Sequence, residues 1–205
     1  MIFKNLLRIL RSYRFSLIKI IYYELLYLVK GYRGNKFTFS KNNIMSDNIP
    51  CPYYFLHEIN KEIKNRDFNI FLDLGSGSGR VIDFFSKFFI KKNFIGIEYF
   101  KDQFLHSKKI FEANRKVNII QADFTEIDFL QYKADCYFFN HPIKDDKIFI
   151  KTIEKIINSG FMKKDLLLIF VNCNNIIVKS FKNIQCIKKF YINDSTGYSI
   201  YCVSR

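Results

Sequence analysis

One short run of residues gathers the groups most able to do chemistry. Asp73-Leu74-Gly75-Ser76-Gly77-Ser78-Gly79 sets a carboxylate ahead of three glycines at alternate positions. Glycines let the backbone turn tightly and approach a ligand with no Cβ in the way. The residues that follow have helical spacing, and the first amides of a helix favour a negative group. Glu98 comes 19 residues after Gly79. A carboxylate placed there can accept two hydrogen bonds from the hydroxyls of a ribose. Further along stand Asp123 and the run Asn140-His141-Pro142. An imidazole with its ordinary pKa of about 6.5 is suited to take a proton, which makes His141 a candidate base beside Asn140.

These residues need elements that bring them to one place. The apolar runs at 69–75, 94–98, 117–123, 134–140 and 165–172 read as buried strands. Helical spacing covers 80–90, 101–115 and 144–158, with a short irregular piece ending at Tyr132 and a shorter helical stretch after 172. Segments 187–192 and 198–204 flank Asn-Asp-Ser-Thr-Gly and form a hairpin, so one strand runs antiparallel. The pattern predicts an α/β fold, a Rossmann-like and mainly parallel seven-stranded sheet closed by a C-terminal hairpin. Ligands of such sheets bind at the carboxyl ends of the strands. The glycine loop, Glu98, Asp123 and Asn140 all fall at such ends. A nicotinamide enzyme would need glycine at position 80, where the chain has Arg80.

The spacing D-x-G-x-G-x-G resembles motif I of class I S-adenosylmethionine-dependent methyltransferases, and the resemblance extends over residues 69–204. It implies S-adenosyl-L-methionine as cofactor. The loop Gly75, Ser76, Gly77 and Gly79 would wrap the methionine part, and Asp73 would orient its amino group. Glu98, with Tyr99 beside it, would hold the ribose. Asp123 would bond the adenine amino group, and Phe124 would offer a backbone amide or an apolar wall. Asn140-His141-Pro142 is similar to the N-P-P-aromatic motif of amino-group methyltransferases, which implies that Asn140 orients the acceptor nitrogen. The chain departs from that motif at His141 and Ile143, and the missing aromatic removes a platform for a flipped base. Pro50-Cys51-Pro52-Tyr53 resembles a P-[S/T]-P-Y element of small bacterial class I enzymes, and of the lysine methyltransferases that modify an ATP-synthase subunit. That resemblance makes Pro52, Tyr53 and Tyr54 lid or substrate residues, in a segment stiffened by two prolines. The acceptor it favours is a protein lysine or another amine. A nucleic-acid methyltransferase (rRNA or DNA) and a non-catalytic cofactor-binding protein are the alternatives.

The chain has 205 residues and a net charge of +14, with 33 Lys and Arg against 19 Asp and Glu. Such a field attracts phosphates, anionic lipids or acidic proteins. Only 8 of those 33 basic residues are Arg, which weakens the case for nucleic acid. The charge is uneven. Residues 1–36 hold Lys4, Arg8, Arg11, Arg14, Lys19, Lys30, Arg33 and Lys36 against Glu24 alone. This stretch reads as a helix up to Gly31, with Glu24 on its apolar side, so the helix must bend, break or change partner there. Its most apolar part, residues 15–29, would span only ~22 Å at about 1.5 Å per residue, short of a hydrocarbon core of ~30 Å. Two readings stay open: a helix that caps the domain, and a helix lying on an anionic membrane surface.

Five Cys without a Cys-x-x-Cys read as reduced residues, with Cys136, Cys173 and Cys202 in the core. No His has metal-ligand spacing to a Cys pair, so no metal is expected. These readings divide the chain into a basic helical segment (1–36), a cap or lid segment (37–68) and a methyltransferase domain (69–205). They predict a cytoplasmic protein of bacterial type, with contact to the inner face of the membrane through residues 1–30.

Overall fold

The computed structural model describes residues 2–34, 45–46, 49–159, 165–173, 181 and 184–204. The helical stretch expected after 172, much of segment 37–48, and the side chains of Lys4, Arg8, Arg11, Arg14 and Lys36 lie outside the described residues.

Helix α1 (Ile2–Val29) is followed by α2 (Tyr53–Ile63), and then strands and helices alternate. Strand β1 (Ile70–Leu74) leads to α3 (Arg80–Phe88), β2 (Asn93–Glu98) to α4 (Lys101–Ile110), and β3 (Val117–Gln121) to a 3-10 turn at Phe129–Tyr132. Strand β4 (Cys136–Asn140), α5 (Asp146–Asn158) and β5 (Leu166–Val171) precede the hairpin of β6 (Ile184–Tyr191) and β7 (Gly197–Val203). The sheet order is β3-β2-β1-β4-β5-β7-β6. Strand β7 runs antiparallel between β5 and β6, and the other pairings are parallel. The fold class read from the sequence is the fold observed.

The central strands are apolar on both faces because both faces are covered. Successive side chains alternate between two cores, as a period of two requires. Phe71 and Phe138 join one with Phe85, Phe94 and α2, and Leu72 and Phe139 join the other with Phe149 and Ile153 of α5. Strand order reverses between β1 and β4, which both pair at Asp73 and Phe138, so the switch point falls beside the glycine loop. Helix α4 is shorter than its sequence pattern, ending at Ile110. Phe111 turns in to pack on Gly79, where an added Cβ would meet its ring at 2.7 Å.

Helix α1 does not break at Glu24. It runs unbroken to Val29, and Glu24 changes partner. Its carboxylate accepts the Tyr53 N–H (2.9 Å) and both its oxygens face Arg80 Nη1 (3.0 Å each). It therefore caps α2, whose N-cap residue Pro52 supplies no side-chain acceptor. It also neutralises the cation at the first residue of α3. Arg80 donates as well to Cys51 O (3.1 Å), and its guanidinium lies over the Tyr53 ring, 4.4 Å from the centroid. A nest of rings holds the rest of this junction. Tyr27 packs against Tyr53 (5.0 Å) and Phe84 (5.2 Å), and its hydroxyl is 3.1 Å from His57 Nδ1. Beyond α1, Arg33 N donates to Asp83 (2.7 Å) and Ser78 Oγ donates to Gly34 O (2.6 Å), which seats the chain behind the glycine loop.

Two measurements test this arrangement. Tyr27 is 3% exposed and Leu28 59%. In urea denaturation Tyr27→Ala should cost about 3 kcal/mol and Leu28→Ala no more than about 0.5 kcal/mol. Equal costs would mean that α1 does not dock by this face. Glu24→Ala should cost about 2 kcal/mol, since it uncaps α2 and strands Arg80, and Glu24→Gln should recover part of that through its amide oxygen.

Candidate functional site

At the end of β1 the chain reverses over the end of β2. Gly75 N and Ser76 N both donate to Ile97 O (2.9 and 3.1 Å). Gly77 N donates to Glu98 Oε2 (2.7 Å), and Phe100 N to Glu98 Oε1 (2.7 Å). The Glu98 carboxylate thus splints the loop to the start of α4. Gly75 sits at φ +77°, and a Cβ there would stand 3.0 Å from Pro142 Cβ. Only a residue without a side chain lets the β1 and β4 ends approach this closely. Gly79, the N-cap of α3, faces Phe111 rather than the ligand side.

Two buried polar atoms of this loop have no hydrogen-bond partner: Asp73 Oδ2 and Ser76 Oγ. Asp73 is 1% exposed. Burial drives its pKa well above the usual carboxylate range, and the nearby Glu98 charge adds to the rise. Glu98 is raised as well, chiefly by burial, against the lowering effect of the Phe100, Gly77 and Tyr99 amides.

A cavity of about 40 Å³ lies between Gly75, Gly77, Glu98, Tyr99, Phe124 and Asn140. A larger one, about 330 Å³, shares Met45 and Tyr99 with it and reaches Asp123, Thr125, Lys151 and Lys155. Asp123 Oδ1 accepts from Thr125 N (2.9 Å) and Thr125 Oγ1 (2.6 Å), so its turn is fixed beside the larger cavity. The fold brings Asp73, Gly75, Ser76, Gly77, Glu98, Tyr99, Asp123, Phe124 and Asn140 to one end of the sheet.

Met45, Ser46 and Ile49 line the smaller cavity; they fall within the segment expected as a cap or lid (37–68), but the sequence did not single them out. Met45 bridges to Ile143, Ser46 N donates to Pro142 O (3.1 Å), and Asn140 Nδ2 donates to Ile49 O (2.8 Å). Nothing in the types of Met45, Ser46 and Ile49 separates them from ordinary loop and core residues. Asn172 was missed too, although a polar residue at the end of β5 obeys the rule that marked the other strand ends. Its Nδ2 donates to Asn140 Oδ1 (3.3 Å) and its Oδ1 accepts from Gly197 N (3.2 Å).

Three expected lid residues stand elsewhere. From Tyr53 the segment expected to be extended is helical, and Pro52 begins that helix. Tyr53 is buried under Arg80, its hydroxyl donating to Arg33 O (3.4 Å). Tyr54 packs between Tyr23 and Phe190. Neither tyrosine lines either cavity. Their apolar bodies suit the core beneath α1 better than a solvent-facing lid. Ile143 is fully buried. His141 takes φ +43° at the rim, 3.5 Å from Ser46 Oγ and outside the smaller cavity. Desolvation lowers its pKa, and Lys144 adds to this while Asp146 opposes it. Among the described residues no group of three or more His, Cys, Asp and Glu could hold a metal.

The comparisons agree with this geometry. Residues 72–160 match the family described as a methyltransferase domain. No curated protein sequence matches the chain. Solved structures share its fold. An Aquifex aeolicus SAM-dependent methyltransferase superposes with TM-score 0.58 at 12% identity, over 73% of this chain and 89% of that one. A Staphylococcus aureus protein provisionally named a caffeoyl-CoA O-methyltransferase gives 0.57 at 16% identity, over 73% and 82%. An Escherichia coli protein provisionally named the methyltransferase yhhF gives 0.58 at 13% identity, over 74% and 86%.

Fold, glycine loop and domain match together define a class I methyltransferase enzyme. Its cofactor is S-adenosylmethionine, and the residues present fit that group. Asp73 Oδ2 and Ser76 Oγ are buried without a hydrogen-bond partner, and Gly75 and Gly77 line the smaller cavity with no side chain.

The Asp73 environment makes a pH prediction. An acid whose folded pKa is raised contributes stability below the ordinary carboxylate range, and loses it as pH rises from there toward the folded pKa. The advantage of Asp73→Asn over the wild type should therefore grow above pH ~4, by up to about 1.4 kcal/mol per pH unit. A difference that stays flat in urea melts from pH 4 to 8 would show that Asp73 is ionised as in water.

Proposed function

We propose that this enzyme methylates an amine nitrogen, most simply a protein lysine. The observation that carries the reading is the Asn140 amide at the end of β4. It is held from two sides by Ile49 and Asn172, next to the Pro142 backbone. An amine acceptor must present a neutral lone pair, and side-chain and backbone oxygens at this strand end can accept its N–H groups and aim that pair. The cofactor supplies a methyl group already activated on a sulfonium, so the protein has mainly to orient and to keep water out. The loop from Gly75 to Gly79, Asp73, Glu98, Tyr99, Asp123 and Phe124 are assigned to holding it. His141 is assigned the proton, because its lowered pKa leaves an accepting nitrogen at neutral pH. Pro52, Tyr53 and Tyr54 act through the junction under α1, as positioning rather than substrate residues. Ile143 speaks against a stacked nucleobase, since it is buried.

The reading includes a location. A cytoplasmic enzyme would touch the inner face of the membrane through residues 1–30, with 37–68 as the covering segment and 69–205 as the catalytic domain.

Calorimetry with S-adenosylhomocysteine should give micromolar binding, weakened about tenfold or more by Glu98→Ala through its lost hydrogen bonds. Lysate given methyl-labelled cofactor and this enzyme should carry the label in protein and release it as methyllysine on hydrolysis. Label confined to RNA or DNA would overturn the amine reading while leaving the methyltransferase intact.

A further inference from the structure

Helix α1 has a second face that is exposed among the described residues. Ile20, Tyr23, Leu26 and Tyr27 pack on the core. On the opposite side Ile18, Ile21, Tyr22, Leu25, Leu28 and Val29 are between 52% and 86% exposed. Their spacing is i, i+3, i+4, i+7, i+10 and i+11, which draws one stripe along a helix. They are six of the twelve exposed large apolar side chains among the described residues. A patch this concentrated marks a contact surface.

The charge around the stripe says what kind of contact. Lys19, Lys30 and Arg33 are exposed. Glu24, the lone acid of residues 1–36, is spent inward on Arg80. Within residues 1–15 the sequence adds Lys4, Arg8, Arg11 and Arg14 and no acid. A second copy laid face to face would set these like charges together. The partner must be apolar and anionic at once, over a length of several helical turns. Among the described residues no helix is long and apolar enough to cross a membrane.

We infer that the outward face of α1 is a docking surface for an anionic lipid bilayer, on which the helix lies in the interfacial plane. The stripe enters the boundary of headgroup and acyl chain, and the flanking Lys and Arg side chains meet lipid phosphates. This rests on the proposed membrane contact of residues 1–30 and assigns it to one side of the helix. It is independent of which acceptor is methylated.

The chain has no Trp, so Tyr22→Trp gives the full-length protein a single reporter on the stripe. Vesicles rich in phosphatidylserine should shift its emission to the blue, and brominated acyl chains should quench it. Phosphatidylcholine vesicles should do so far less. Adding Leu25→Asp and Leu28→Asp should cut partitioning into phosphatidylserine vesicles about tenfold or more. The melting temperature and S-adenosylhomocysteine affinity of that variant should stay unchanged, which keeps misfolding and failure of the methyltransferase reading apart from failure of this one. Partitioning unaffected by the two aspartates would overturn the inference. So would an unshifted emission, or a dimer in sedimentation that the same substitutions dissolve.

Discussion

The carboxylate of Glu24 joins three helices at one point. A cation at the first residue of α3 is badly placed, because the amides there already carry the positive end of the helix dipole. Arg80 stands at that position with its side chain largely buried. Glu24 offsets it across 3.0 Å and at the same time accepts the first free amide of α2. The Tyr53 ring beneath the guanidinium and the Cys51 carbonyl beside it complete the surround. Removing one partner of such a group costs more than the pair contributes net, because the other is left buried and unpaired. The glycine loop ends one residue before Arg80, so whatever fixes Arg80 also fixes the loop.

From that anchor the site follows. The loop cannot swing away from β2, because Gly34 and Ser78 hold it from behind and Glu98 holds it in front. The two buried acids then share dry surroundings, and burial raises the pKa of each. A ligand ammonium arriving at Asp73 would oppose that rise, since an opposite charge in a dry place stabilises the ionised carboxylate. Met45, Ser46 and Ile49 line the smaller cavity through a bridge to Ile143 and hydrogen bonds to Pro142 and Asn140.

Much of this was legible in the sequence, and the pattern of what was not is physical. Strand ends could be read because a sheet covered on both faces leaves only its ends for polar groups. Asp73, Glu98, Asp123 and Asn140 stood out against apolar runs. Asn172 obeyed the same rule and was overlooked because no motif pointed to it. Tyr53 and Tyr54 lie beneath α1, and an aromatic with a hydroxyl suits a lid and a core equally, so only the position of α1 separates the two. Met45 and Ile49 had no signature, since they bind through backbone groups that every residue has. Glu24 was conspicuous as a lone acid on an apolar face, but its partner lay 56 positions away, at the residue that had seemed only to spoil a nicotinamide motif.

A helix apolar around most of its circumference is ordinarily buried around most of it. Helix α1 breaks that rule over its last three turns, where the inner face meets α2 and α3 and the outer face meets nothing among the described residues. The inner face is specific, with a partly buried ion pair and an ordered nest of rings, and so it behaves as fixed structure. The outer face is a row of mostly aliphatic side chains, with the Tyr22 hydroxyl as the single polar group of the stripe. Such a surface suits a partner without register of its own. The two readings left open by the sequence, a cap and a surface-bound helix, therefore do not compete, because they concern opposite sides of one helix.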